Sequence, residues 1–123
     1  MRDGFVKVAA GTPSIRVADC RYNAEQIFTL MREAHHQGVR VLCLPELCLT
    51  GYTCGDLFHQ QRLLDGALEG LQTILAGTGD LATLALVGLP LRRGDRLYNC
   101  AALLQGGRIL GVIPKQHLPN YGE

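Results

Sequence analysis

The sequence lacks several features that would assign it to a function class at once. No apolar run approaches the ~20 residues that a membrane-spanning helix needs, and the N-terminal apolar segment is too short for a signal peptide. There is no excess of charge, since the formal net charge is +1, so neither nucleic acid nor an anionic membrane is an expected partner. We therefore expect a cytoplasmic protein that binds neither nucleic acid nor membranes.

Metal and nucleotide motifs are also missing. The five cysteines form no paired CxxC framework and are expected to be reduced thiols that pack as small apolar residues. Together with the four histidines they match no common zinc-ligand spacing, so no metal site is predicted. No glycine-rich loop follows a strand in a dinucleotide-binding or P-loop pattern. We expect no nucleotide cofactor in this segment.

What the chain does have is the composition of a globular domain. Its 123 residues are 47% hydrophobic and 19% charged, which is enough apolar material for one core. Apolar runs predict strands at 5–13, 39–45 and 81–90, and a hairpin of two strands over 96–114 turning at Gly106–Gly107. Helical periodicity predicts helices at about 19–37, ended by Gly38, and 60–75. The order β-α-β-α-β-β-β predicts an α/β fold with a mixed sheet.

Each predicted helix has one apolar face, which should cover a sheet. In the first helix the face consists of Ile27, Phe28, Met31 and Ala34. In the second helix it consists of Leu64, Ala67, Leu68, Leu71 and Leu75.

A carboxylate stands at the end of the second strand, in "LCLPELCLTGYTCGDLF" (42–58), where Glu46 follows Pro45. Open α/β folds place ligands at the carboxyl ends of their strands, and a partly desolvated carboxylate needs a partner. The simpler alternatives are a surface glutamate in a turn and a salt bridge to an arginine. Cys48 and Cys54 lie close enough in sequence to be considered as nucleophiles, although most free cysteines serve packing.

A similar pattern recurs in "GVIPKQHLPNYGE" (111–123), where Lys115 follows an apolar run and Pro114. If the two strands are neighbours, Glu46 and Lys115 emerge at one sheet edge and combine a base with a cationic stabiliser. A solvated lysine is the alternative. Asn99 lies in the apolar strand "LYNCAALL" and should be hydrogen-bonded, either structurally or in support of Glu46.

The segments "PELCLTGYTCGDLF" and "PKQHLPNYGE" resemble the nitrilase, or carbon–nitrogen hydrolase, superfamily. Within it, "GYTCGDLF" and "LPNYGE" are most similar to the N-terminal glutaminase domains of glutamine-dependent NAD synthetases. The resemblance implies part of a nitrilase-type four-layer α-β-β-α sandwich with mixed sheets. Residues 1–123 would form the N-terminal part of that single domain.

The resemblance also implies roles for individual residues. Glu46 matches the family's general base, and Lys115 matches the lysine that stabilises the oxyanion of the tetrahedral intermediate. Tyr52 and Tyr121 match tyrosines of the glutamine pocket. The family's nucleophilic cysteine comes after the lysine motif, so we expect it beyond Glu123 and expect the 123-residue chain alone to be inactive.

The implied reaction is glutamine hydrolysis through a thioester. The ammonia would pass to a C-terminal, ATP-dependent synthetase domain that amidates deamido-NAD⁺, with ATP and Mg²⁺ bound by that domain and no cofactor in this segment. We also expect a homo-oligomer. The alternatives are a stand-alone nitrilase-type amidase and a non-catalytic half-domain.

Overall fold

The computed structural model describes residues 4–51 and 61–117, with the side chains of 116 and 117 excepted. The elements are β1 (Val8–Ala10), α1 (Cys20–His36), β2 (Val41–Cys43), α2 (Gln61–Gly77), β3 (Leu84–Arg93), β4 (Arg96–Gln105) and β5 (Arg108–His117). The predicted order β-α-β-α-β-β-β is confirmed. Strand ends differ from the predictions by up to three residues, and β5 continues past Pro114.

The five strands form one mixed sheet in chain order, β1-β2-β3-β4-β5. β1, β2 and β3 are parallel, because each pair is joined by a crossover through a helix. β3, β4 and β5 are antiparallel. The predicted β4–β5 turn is confirmed at Gly106 and Gly107, whose φ angles of 60° and 76° are those that a tight primed turn requires.

Helix α1 begins and ends where its sequence signals predict. The Asp19 carboxylate accepts a hydrogen bond from the backbone N–H of Tyr22 at 3.1 Å, and so caps the first turn. Gly38 has φ 77°, the left-handed conformation that commonly ends a helix. Ile27 and Met31 on the predicted apolar face are fully buried.

In helix α2 the predicted apolar face is mostly correct. Leu64, Ala67 and Leu71 are buried, whereas Leu68 is 43% exposed and Leu75 is half-buried. Ile74, which was not predicted, is fully buried. The buried residues are spaced three, four and three residues apart, which keeps them on one stripe. Leu68 is one residue beyond Ala67 and is turned away from that stripe by the helical rotation.

Both helices pack on the same face of the sheet. Their buried residues join alternate side chains of β2, β3 and β4 in one core, namely Ile27, Met31, Leu71, Ile74, Leu42, Ala85, Val87, Leu89, Ala102 and Leu104. In the described part of the chain, neither helix has the length and apolar character to cross a bilayer.

No helix of the described residues covers the opposite side of the sheet, which we call the open face. By strand register it carries Val8, Val41, Cys43, Leu84, Leu86, Leu103 and Ile113. Val8 is 65% exposed and Ile113 is 50% exposed. The described residues thus form two layers, with an apolar sheet face on the outside.

Candidate active site around Glu46

The turn that carries Glu46 is attached to β3 at both of its ends. Before it, the backbone N–H of Leu44 donates to the carbonyl oxygen of Leu86 at 3.2 Å. After it, the N–H of Leu49 donates to the carbonyl oxygen of Gly88 at 3.1 Å. These bonds hold Glu46 above the carboxyl end of β2, where the sequence places a ligand site.

Gly88 allows this turn to lie directly against β3. A β-carbon at residue 88 would overlap the backbone nitrogen of Leu47, and would lie 2.9 Å from the carbonyl oxygen of Pro45 and 3.1 Å from the carbonyl carbon of Glu46. Leu47 has φ 53°, a left-handed conformation that is uncommon for residues other than glycine. Its side chain is 1% exposed and holds the turn in a small apolar cluster.

Asn99 provides the hydrogen-bond partner that Glu46 needs. It lies on β4 opposite Pro90 of β3 and is fully buried. Its Nδ2 donates to Oε1 of Glu46. The prediction that Asn99 is hydrogen-bonded is confirmed, and of the two alternatives the structure has the bond to Glu46.

Neither simpler interpretation of Glu46 fits this geometry. Glu46 is half-buried rather than a free surface side chain. The one salt bridge among the described residues joins Arg32 to Asp80, far along the chain from Glu46.

The Oδ1 atom of Asn99 is buried and has no hydrogen-bond donor in the described part of the molecule.

Lys115 is placed differently from the prediction. It lies inside β5, which runs on to His117, so the expectation of a strand end at Pro114 was wrong. The expectation that β2 and β5 are neighbours was also wrong, since β3 and β4 lie between them. Pro114 does not end β5 because β5 is an edge strand of this sheet, where a proline can be accommodated.

A β-bulge nevertheless brings the Lys115 backbone next to Asn99. Asn99 is opposite Gln116 and Cys100 is opposite Pro114, so Lys115 is the extra residue between two register partners. Bulges of this kind redirect side chains and are common beside active sites. The structure therefore relates Lys115 to Glu46 through Asn99 on the strand between them, and the Lys115 side chain is exposed.

The described cysteines do not look like nucleophiles. Cys48 is 2% exposed, and its Sγ donates to the carbonyl oxygen of Gly88 at 3.7 Å. Burial raises the pKa of its thiol to about 11, so the thiolate that would attack is absent at neutral pH. Burial also raises the pKa of Cys100. Cys43 is exposed on the open face.

Three of the predicted positions fall outside the described residues: Tyr52, Cys54 and Tyr121. Sequence reasoning missed Gly88, whose role follows from a close approach of backbone to backbone.

The described residues contain no group of three His, Cys, Asp or Glu side chains that could hold a metal ion. An open cleft between α1 and α2 is lined mainly by charged and small side chains, and Glu46, Asn99 and Lys115 are not among its lining residues.

Comparison with known proteins agrees with this geometry. The carbon–nitrogen hydrolase family matches residues 7–123. The chain belongs to the carbon–nitrogen hydrolase family. The glutamine-dependent NAD(+) synthetase of Mycobacterium tuberculosis is 38% identical to this carbon–nitrogen hydrolase chain over 120 residues, 98% of the chain and 18% of that protein. The chain thus spans about a fifth of the length of the curated relatives it matches.

Solved structures agree in fold. The crystal structure of a glutamine-dependent NAD(+) synthetase from Cytophaga hutchinsonii superposes with a TM-score of 0.79 at 35% identity, over 90% of this chain and 19% of that one. An amidase from Nesterenkonia sp. superposes with a TM-score of 0.76 at 24% identity, over 98% of this chain and 46% of the amidase. The resemblance and the α/β fold class predicted from the sequence motifs are confirmed.

Proposed function

We propose that this carbon–nitrogen hydrolase chain is the first part of a glutaminase domain, which releases ammonia from glutamine for a synthetase domain of the same protein. The observation that carries the proposal is the hydrogen bond from Asn99 to Glu46, which holds a half-buried carboxylate at the end of β2. The relatives named above support glutamine as the substrate, since they are glutamine-dependent NAD(+) synthetases.

In the proposed mechanism Glu46 is the general base. With Oε1 held by Asn99, Oε2 remains to accept the proton of a cysteine thiol supplied by the protein beyond residue 123. The thiolate sulfur attacks the amide carbon of glutamine, and the carbonyl π electrons move to oxygen, giving a tetrahedral oxyanion. As that intermediate collapses, the C–N bond breaks and the leaving nitrogen takes the proton from Glu46, so it departs as ammonia. Water then hydrolyses the thioester to glutamate and frees the thiol.

Lys115 is the proposed cationic stabiliser of the oxyanion. A fixed positive charge at the developing oxyanion lowers the barrier only where charge appears in the transition state. Tyr52 and Tyr121 are proposed to hold the glutamine. Their phenolic hydroxyl groups would orient the glutamine relative to Glu46 and Lys115.

The rest of the proposal concerns the complete protein. Deamido-NAD⁺ would be amidated in a C-terminal domain that binds ATP and Mg²⁺, and no residue of this chain has a proposed part in that step. The complete protein is proposed to be a cytoplasmic homo-oligomer. Its complete glutaminase domain, of which this chain is the first part, is proposed to be a four-layer α-β-β-α sandwich. The 123-residue chain alone is proposed to be inactive because its own cysteines lack the required setting.

The experiment that tests the proposal uses the full-length protein and two nitrogen sources. NAD⁺ formation from deamido-NAD⁺ is measured with glutamine and, separately, with ammonium. Glu46→Gln keeps the volume of the side chain but cannot accept the thiol proton, so glutamine-driven synthesis should fall by at least about 10²–10⁴-fold, while ammonium-driven synthesis is retained. Glu69→Gln, an exposed position on α2, is the control and should behave as wild type.

Two results would contradict the proposal. Glutamine-driven turnover that survives Glu46→Gln would remove Glu46 from the mechanism. A wild-type protein that hydrolyses an amide but forms no NAD⁺ from either nitrogen source would instead support a stand-alone amidase.

A further inference from the structure

We propose that Asn99 is a positioning residue that fixes both charged groups of the site, holding Glu46 through its amide nitrogen and the Lys115 ammonium through its amide oxygen. The inference rests on the proposed function, because it assigns a role in the same reaction to a residue other than Glu46, Lys115 and the proposed nucleophilic cysteine. Its two halves depend on different observations.

The first half concerns the amide nitrogen. Asn99 is fully buried, and its Nδ2 donates to one oxygen of Glu46. A hydrogen bond to an ionised carboxylate is stronger than a neutral one, and burial strengthens it further because the local dielectric constant is low. The bond therefore restricts the rotation of the Glu46 carboxylate and leaves a single oxygen, Oε2, to act as base.

The second half concerns the amide oxygen. Because Nδ2 must face the Glu46 carboxylate, the orientation of the Asn99 amide is set; the flipped amide would bring two acceptors together. Oδ1 is then buried and, in the described part of the chain, receives no hydrogen bond. Buried acceptors in folded proteins are almost always satisfied, so Oδ1 requires a donor.

Lys115 is the cationic residue whose backbone the strand pairing brings beside Asn99. It is the extra residue of the β5 bulge, between the partners of Asn99 and Cys100. Its ammonium can only donate hydrogen bonds, and it donates none to another described residue. Arg92, two residues from the β3 partner of Asn99, has its guanidinium bonded to Gln61 instead.

The two halves together give Asn99 a function that a structural hydrogen bond does not have. One neutral side chain contacts the base and the cation of the same reaction and keeps them apart at a fixed spacing. A direct ion pair between Glu46 and Lys115 would weaken the base, because a cation in contact with a carboxylate favours its ionised form. The amide bridge holds both groups without that contact.

The experiment uses the full-length protein and replaces Asn99 in two ways. Asn99→Leu is close in volume and removes both hydrogen bonds, so kcat for glutamine should fall about 10–100-fold, the range seen for outer-shell partners of other sites. KM for glutamine should change by less than about threefold, since no contact to the substrate is lost. Ammonium-driven NAD⁺ synthesis should be unchanged.

Asn99→Asp separates the contact with Glu46 from the proposed contact with Lys115. It keeps an acceptor for Lys115 but replaces the donor to Glu46 with a second carboxylate. Because neighbouring carboxylates resist joint ionisation, the acid limb of the kcat/KM profile for glutamine should move to higher pH. That shift shows that position 99 acts on the base itself, which a loss of stability alone would not do.

Asn23 offers a matched control. It is also a fully buried asparagine, and its side chain bonds the backbone of Arg16 and Leu49, away from Glu46. Asn23→Asp should lower the melting temperature but leave the acid limb of the pH profile where it is in the wild type.

The outcomes distinguish this inference from the proposed function. Wild type and Glu46→Gln are measured in the same assay, and if they do not differ with glutamine, the proposed function fails and the inference fails with it. If they differ as expected, the inference is overturned by Asn99→Leu with wild-type kcat, by equal losses with glutamine and ammonium, or by an unshifted profile in Asn99→Asp. Should Asn99→Leu not fold, the pH profile of Asn99→Asp decides alone.

Discussion

Gly88 and Leu47 meet through their backbones, because the amide nitrogen of Leu47 occupies the space that a β-carbon on residue 88 would need. The contact joins the middle of β3 to the residue directly after Glu46. Any side chain at position 88 must therefore push the turn away from the sheet, and Glu46 with it. Asn99 would then lose its partner although it had not moved itself.

Gly88→Ala adds only a methyl group, but it should reduce glutamine-driven synthesis strongly because that methyl group displaces the turn that carries Glu46. A displacement of about 1 Å can cost on the order of 10²-fold in rate, and overpacking typically costs about 1–3 kcal/mol of stability. Ammonium-driven synthesis should be retained at a temperature below the lowered melting point. Gly79→Ala is the control, because a β-carbon at that exposed turn meets no described atom within 4 Å. Equal activity of the two variants with glutamine would contradict the close approach.

Lys115→Met should also impair only the glutamine-driven reaction, but for a different reason. Glu46 and its bond to Asn99 remain, while the oxyanion loses a cation, which costs on the order of 10²–10³-fold in kcat. Lys7→Met is a suitable control, since Lys7 is a lysine near β1 whose ammonium binds the carbonyl oxygen of Gln37 at 2.9 Å. Rapid-quench measurement of thioester formation would show the defect directly, and a normal burst in Lys115→Met would argue against the role.

Cys48 predicts a dependence of stability on alkaline pH. Its folded-state pKa is raised from the ordinary 9.0 to about 11, so the unfolded chain ionises first as pH rises. The contribution of the protonated Cys48 thiol to the free energy of unfolding is therefore fully present below pH 9. It declines as the pH rises from 9 towards 11, by about 2–3 kcal/mol for a pKa difference of two units between the folded and unfolded states. Urea unfolding at a series of pH values should show most of this decline disappear in Cys48→Ala.

The same variant tests the chemistry. Cys48→Ala should retain glutamine hydrolysis in the full-length protein, because a buried, protonated thiol is not the nucleophile. Its overall stability should be lower at neutral pH through loss of a packed side chain. Loss of glutamine hydrolysis together with intact ammonium-driven synthesis would show that Cys48 has a part in the reaction after all.

Residues 1–123 expressed alone should self-associate. Among residues 4–51 and 61–117, the open face exposes apolar side chains, and the edge strands β1 and β5 have no further strand partner. Both features favour association. Replacing Leu86 and Leu103, which are cross-strand partners on that face, with lysine should reduce the association measured by sedimentation. A compact monomer of the unmodified fragment at micromolar concentration would contradict the expectation of a missing covering layer.

The sequence predicted the order of elements because apolar periodicity is a local property. Ile27 and Met31 of α1 are buried as their spacing indicates, and Glu46 stands out because a charge follows an apolar strand. The position of Lys115 could not be predicted from the same pattern. Pro114 stops a central strand but not the edge strand β5, and only the strand register shows that Lys115 lies in a bulge.

The contact between Glu46 and Asn99 lay beyond sequence reasoning for a related reason. The two residues are 53 positions apart, and their meeting depends on how far the turn after β2 extends across β3. That distance is set by the absence of a side chain at Gly88, which in the sequence is one glycine among fifteen. Family resemblance predicted roles for Glu46 and Lys115, but it did not predict the hydrogen bond that holds Glu46.

The conformation of Leu47 implies a trade between stability and precision at this site. A left-handed leucine with φ 53° costs about 1–2 kcal/mol that a glycine would not. Truncating a leucine that is only 1% exposed costs about 2–5 kcal/mol of stability. The packing of the leucine side chain therefore outweighs its backbone strain. The turn beside Glu46 is thus kept in an intrinsically unfavourable shape by its own buried anchor. A substitution at Leu47 that relieves the backbone strain should therefore give a less stable protein in which the turn that carries Glu46 is less tightly held.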